Sequence, residues 1–149
     1  MTIGGWFWVT GDINDLHLKS ERYIHFGGRP IQSAQIDHLV MAPSGIFVIE
    51  TKLWSRDFVE SGNYHDPFDQ IQRASYLCYD LVREHFGKVR VRSVIACAGA
   101  LPQPPKGTYV KVLHPTEIIG YISWFKDQGL SPDDTPKLSR FFERRQRWL

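Results

Sequence analysis

Asp37, Glu50 and Lys52 are the residues best placed to do chemistry together, and the chemistry they suit is metal-assisted hydrolysis of a phosphodiester. Residues 36–41 and 46–53 are rich in Ile, Val and Phe and read as two strands. Between them, Ala42-Pro43-Ser44-Gly45 reads as a hairpin turn. A two-residue type I′ or II′ turn needs positive φ at its first central position, which Pro43 cannot adopt. A four-residue loop closing with Gly45 in the left-handed region is therefore expected, pairing Met41 with Ile46. That register sets Asp37 opposite Glu50. Strand side chains alternate faces, so Glu50 and Lys52 share a face with Val48 and Ile46. Two carboxylates and an ammonium then meet at the far end of an otherwise apolar face. Buried charges on such a face must pair with one another or hold a metal.

Mg²⁺ takes oxygen ligands, typically one or two carboxylates completed by waters. Asp37 and Glu50 are of that kind, and the backbone carbonyl of Thr51 is a candidate third ligand. A metal in such a place lowers the pKa of its water and offsets phosphate charge. Lys52 is suited to orient the water and to stabilise developing negative charge. The bland alternative is a buried salt bridge of Lys52 with Asp37 or Glu50, and the three residues alone leave both readings open.

The surrounding residues tip the balance. Asp37 followed by Glu50-Thr51-Lys52 matches the D…(D/E)xK signature of the PD-(D/E)xK nucleases. More narrowly, Gln35-Ile36-Asp37-His38-Leu39-Val40 and then residues 44–54, SGIFVIETKLW, resemble the NERD (nuclease-related domain) family. That family also carries Asn-Pro-x-x-Gln at the start of the next helix, where this chain has Asp66-Pro67-Phe68-Asp69-Gln70. The resemblance runs from about residue 16 to residue 98. It implies a restriction-endonuclease-like α/β core, a central mixed β-sheet flanked by helices, here without the helix with which the family usually begins. It also implies that Asp37 and Glu50 ligate Mg²⁺ or Mn²⁺, that Lys52 is the catalytic lysine and that Gln70 is an active-site polar residue.

The elements that must position these groups are legible in outline. Leu16-His17-Leu18 reads as a short first strand between a turn at Gly11-Asp12 and a loop at residues 27–30. Asp66-Pro67 is a helix start, an N-cap acid followed by proline at the first helical position. That helix is expected to run to about residue 85, burying Ile71, Ala74, Cys78, Leu81 and Val82, and to end at Gly87. Residues 89–98 and 109–113 read as strands. Thr116 is expected to cap a helix through about residue 126 that buries Ile118, Ile119, Ile122 and Phe125. Thr135-Pro136 starts a last helix with Leu138, Phe141 and Phe142 on its apolar side.

Other candidates are weaker. Arg73 lies one turn beyond Gln70 on the same side and is within reach of a phosphate. Arg140, Arg144 and Arg147, with Lys137 and Arg145, make the last helix basic, which suits either an ordinary solvated face or a nucleic-acid-binding one. His38 should point away from Asp37 and His65 should be a surface residue. Trp54 is suited to stack a base but more simply packs in the core.

At 149 residues and 42% hydrophobic, the chain is sized for a single domain, residues 1–149, with a real core. A net charge of +2 does not by itself demand a nucleic-acid partner. Two cysteines without a CxxC spacing exclude a zinc ribbon, and no apolar run approaches the roughly 18 residues of a membrane helix. A cytoplasmic protein with no membrane partner is expected. Ile3, Trp6, Phe7, Trp8 and Val9 suggest an apolar covering segment, and hence a homo-oligomer or a larger complex. The function expected is that of a metal-dependent endonuclease-like domain acting on DNA. The alternative is a weak or inactive nuclease fold that serves as a nucleic-acid-binding or protein-interaction module.

Overall fold

The structure is a computed structural model and describes residues 11–145. Strands β1 (Gly11–Phe26), β2 (Arg29–Ala42) and β3 (Gly45–Lys52) form an antiparallel meander. Helix α1 (Arg56–Ser61) and the long helix α2 (Pro67–Phe86) then carry the chain over to β4 (Val91–Cys97), parallel to β3. Strand β5 (Val110–Leu113) adds to β4, again parallel, and α3 (Ile118–Trp124) and α4 (Thr135–Arg145) follow. Among the described residues the result is a mixed five-stranded sheet in sequential order, β1-β2-β3-β4-β5, with helices on both faces.

Helix α2 and helix α4 cover one face, burying Ile71, Leu77, Cys78, Leu138 and Phe142 against Leu39, Met41, Ile46 and Val48. Helix α3 covers the other, with Ile122 against Val40, Phe47, Ile49 and Val94. The even and odd residues of β3 thus face different helices. That is why its sequence is apolar on both sides until Glu50. Asp66 caps α2 through its side chain, which accepts from the Phe68 N–H at 2.9 Å, with Pro67 in the first turn and Gly87 at the far end. Among the described residues no helix is long and apolar enough to cross a membrane.

Several expectations are corrected. The first strand is not short: β1 and β2 form a long hairpin, so Gly11-Asp12 lies within a strand and Arg29 and Pro30 belong to β2. Only Gly27 and Gly28 turn, both at positive φ (59° and 76°), the geometry a tight hairpin asks of glycine. The β2–β3 turn is also shorter than expected. Pairing continues one step past Met41↔Ile46 to Ala42↔Gly45, leaving Pro43 and Ser44 outside the ladder. Gly45 takes φ 138° rather than the left-handed helical value, and a Cβ there would stand 2.5 Å from the Arg90 carbonyl oxygen. Excluding the primed turns did not exclude a two-residue connection, because glycine at the strand start absorbs the mismatch. The helix expected from Thr116 is capped by His114, whose ring accepts from the Thr116 N–H, and opens with the 3₁₀ turn Pro115–Glu117. Ile119 is half exposed rather than buried. Helix α1, which buries no residue, was not anticipated. The apolar segment at residues 3–9 lies outside the described residues.

Candidate active site

The β2–β3 ladder runs in the expected register from Ala42↔Gly45 to His38↔Ile49. Beyond that pair the Thr51 N–H donates to the Asp37 carboxylate at 3.0 Å. A side-chain oxygen thus takes an N–H at the end of the ladder, while β3 continues to pair with β4 as far as Lys52↔Cys97. The space beyond the last β2–β3 pair, roofed by the first turns of α2, is a cleft of about 920 Å³. Asp37, Glu50, Thr51, Lys52, Gln70 and Arg73 all line it. The candidate residues from two strands and one helix therefore converge.

The acids are not independent. Glu50 is half-buried, and its carboxyl is pushed up from the usual 4.5 to about 8. Burial is the largest cause; the charge of Asp37 and a side-chain hydrogen bond with it come next. The charge of Lys52 and a backbone hydrogen bond from Asp37 pull the other way. Glu50 therefore resists ionisation in this setting, and a divalent cation would favour its charged form. Among the described residues no three His, Cys, Asp or Glu side chains converge on a metal-binding arrangement. The donors in the cleft are two carboxylates and backbone carbonyls, an all-oxygen set of the size Mg²⁺ accepts. On donor chemistry and on the uncompensated acid pair, these residues fit Mg²⁺ or Mn²⁺.

Lys52 is half-buried, and its ammonium sits 5.2 Å from the centre of the Trp54 ring. Trp54 itself packs on Phe58 of α1 and on Tyr64, with ring centres 5.0 and 4.9 Å away. It therefore supports the lysine from a local aromatic cluster. Gln70 is exposed on the first turns of α2. Arg73 reaches back to the β1–β2 hairpin, where its Nη2 donates to the Pro30 carbonyl at 2.8 Å. Its buried Nη1 has no hydrogen-bond partner among the described residues. His38 points away as expected, bonded to the Asn14 amide oxygen at 2.7 Å, and His65 is exposed at the cleft.

Two residues missed from the sequence complete the rim. Arg29 forms an ion pair with Asp69, tying the hairpin to α2 across the cleft mouth. From sequence Arg29 falls in a Gly-rich loop, and nothing local links it to a residue forty positions away.

The basic last helix does not join this site. Arg140 and Arg144 line a separate groove of about 380 Å³ with His85 and Phe86 at the far end of α2. His85 stands fifteen residues beyond Gln70, about 22 Å along the helix axis. Arg145 stacks on Phe141 at 3.8 Å, and its Nη2 lies 3.3 Å from His85 Nε2. Arg147 lies outside the described residues.

Comparison with known proteins gives three findings. The family model described as Nuclease-related domain matches residues 11–98, a span that contains every cleft residue named above. No curated protein matches the chain significantly. A solved structure, the small subunit of a heterodimeric restriction endonuclease, aligns over 95% of this chain and 83% of its own at 12% identity and a TM-score of 0.40.

Proposed function

The chain belongs to the nuclease-related domain family, and from that premise we propose that it is a Mg²⁺- or Mn²⁺-dependent nuclease that hydrolyses phosphodiester bonds of DNA. The observation that carries the reading is the convergence of Asp37, Glu50 and Lys52 at one end of a cleft, where burial and the neighbouring Asp37 push the Glu50 carboxyl upward. A bound divalent cation would supply an activated water and offset the charge of the phosphate.

Each residue has a task in this proposal. Asp37, Glu50 and the Thr51 carbonyl would hold the cation. The Thr51 N–H bond fixes the Asp37 carboxylate, so the ligand is oriented before the metal arrives. A bound cation would favour the deprotonated form of Glu50 and compensate its charge. Lys52, held over Trp54, stabilises negative charge developing on the phosphate and orients the attacking water. Gln70 contacts that water or a phosphate oxygen from the helix side. Arg73 supplies positive charge along the cleft wall, and Arg29, paired with Asp69, braces the cleft mouth. In-line attack by water leaves phosphorus inverted. Arg140 and Arg144 serve as a remote backbone contact on longer substrates.

Incubating the protein with end-labelled DNA and RNA of the same sequence, with Mg²⁺, Mn²⁺ or EDTA, tests the reading. DNA cut only with metal is the expected result. Metal-dependent cutting of RNA alone would correct the substrate. Binding of either without cleavage in any metal would favour the inactive-fold alternative.

A further inference from the structure

Across helix α2 from the cleft lies a second, smaller groove of about 230 Å³. The two are built on the same elements: Gln70 and Arg73 of α2 line the cleft, while Gln72 and Tyr76 line the groove. They also meet at the tip of the β1–β2 hairpin, where the paired residues Arg29 and Phe26 line the cleft and the groove respectively.

The chemistry of the groove is the complement of the cleft's. Among the described residues no charged side chain lines it. It is aromatic: Phe26 and Tyr76 stack at 5.1 Å with their planes 25° apart, and Tyr79 continues the row at 6.5 Å from Tyr76. Tyr109, just before β5, is 88% exposed. A ring so exposed contributes little to the core and is a free π-surface. The polar groups are neutral: the Gln72 amide, the phenol hydroxyls of Tyr76, Tyr79 and Tyr109, and the Ser75 and Ser93 hydroxyls, which share one hydrogen bond at 2.6 Å. A flat, uncharged groove with hydrogen-bonding groups beside it suits one planar heterocycle, and its volume is below that of a pocket for a larger ligand. Single strands are held by cations along the backbone and aromatic rings under the bases; here Lys52 and Arg73 in the cleft are the cations, and the groove supplies the rings.

We propose that this groove is a stacking subsite for an unpaired base of the strand whose phosphates occupy the cleft, so that the preferred substrate is DNA with a single-stranded segment. The inference rests on the nucleic-acid reading of the cleft. An unpaired base beside the scissile region leaves its phosphate backbone running past the hairpin tip, along the cleft wall that carries Arg73 and the Arg29–Asp69 pair. Tyr109 and the Phe26–Tyr76 row hold the base, and Gln72 meets its edge.

The test is fluorescence anisotropy in EDTA with the full chain and three probes: labelled ten-nucleotide oligothymidylate, the same strand with abasic sites, and a blunt duplex. The wild type should bind oligothymidylate more tightly than the abasic strand. Tyr109→Ala should weaken oligothymidylate binding about ten-fold, the loss of one stacked base. Duplex binding should be unchanged, and Tyr109→Phe should behave as wild type. Tyr109 is exposed, so its variants should fold normally, with circular dichroism as the check. Equal binding of the abasic and normal strands would overturn the proposal, and so would a folded Tyr109→Ala, Tyr79→Ala protein that binds oligothymidylate as wild type does. Binding of a labelled proline-rich decapeptide that Tyr109→Ala abolishes, with no binding of oligothymidylate, would assign the groove to a protein ligand and overturn it also. Because binding is read without metal, a protein that binds as described yet cuts nothing upholds the groove and refutes the nuclease reading. A protein that cuts duplex DNA while its Tyr109→Ala variant binds strands unchanged refutes the groove alone.

Discussion

Replacing Glu50 with glutamine should make the metal-free protein more stable at high pH while removing its activity. The carboxyl of Glu50 lies near 8 in the folded protein against 4.5 for the free group. A folded-state pKa above the unfolded value means that the native state binds the proton more tightly. The stability that the proton contributes is complete below pH 4.5 and is lost as pH rises through about 8. At about 1.4 kcal/mol per pH unit, the gap between 4.5 and 8 sets a ceiling of about 5 kcal/mol. Glu50 remains partly open to solvent, and screening reduces this to about 2 kcal/mol. The neutral amide of Glu50→Gln carries no such penalty. In EDTA the two proteins should melt together at pH 5 and part by about 5 °C at pH 9, the variant being the more stable. Thermal melts followed by circular dichroism at pH 5, 7 and 9 read the difference directly. Adding Mn²⁺ at pH 9 should raise the wild type's melting temperature and leave the variant's unchanged. Coincident melting curves at all three pH values, or a less stable variant at pH 9, would refute the picture of an uncompensated acid pair.

Lys52→Met should lower single-turnover cleavage by roughly a hundred- to a thousand-fold, the usual effect of losing one charge-stabilising donor, with Mn²⁺ affinity in calorimetry unchanged. Trp54→Ala, which removes the ring 5.2 Å from the Lys52 ammonium, should slow cleavage about ten-fold, and Trp54→Phe should restore most of it. Gly45→Ala should cost about 2–4 kcal/mol in urea unfolding, because a Cβ there meets the Arg90 carbonyl oxygen at 2.5 Å. Neutralising Arg140 and Arg144 to glutamine should cut the slope of log affinity against log salt by about 2 on a 20-base-pair duplex. On a duplex of about 6 base pairs, too short to reach from cleft to α4, the slope should not change.

The parts of the fold and site that could be read from sequence are those set by local alternation. Ile46, Val48, Glu50 and Lys52 share a face because a strand has a two-residue period. With Met41↔Ile46 as the anchor, that period was enough to bring Asp37 to the acid pair. The cap at Asp66-Pro67 and the apolar stripe of α2 were equally local signals. The long first hairpin was hidden because much of its outer half is polar: Lys19, Glu21, His25 and Arg29 are exposed. Asp15, at φ 52°, and the register shift between Lys19 and Ile24 break the alternation that would have marked a strand. Helix α1 buries nothing and so carries no periodic signal. The Arg29–Asp69 rim and the aromatic groove depend on contacts far apart in the chain, which no spacing rule reveals. The basic residues of α4 could be recognised as basic, but their distance from the cleft is set by the length of α2.

The central claim is that Asp37 and Glu50 hold a divalent cation with which the cleft hydrolyses DNA, and conversion of supercoiled plasmid tests it most directly. Wild type, Asp37→Asn and Lys52→Met, purified side by side, are each incubated with plasmid in Mg²⁺, Mn²⁺ and EDTA. The account predicts nicked or linear products from the wild type with either metal, none in EDTA, and none from Asp37→Asn under any condition. Cleavage by Asp37→Asn at the wild-type rate, or by the wild type in EDTA, would contradict it.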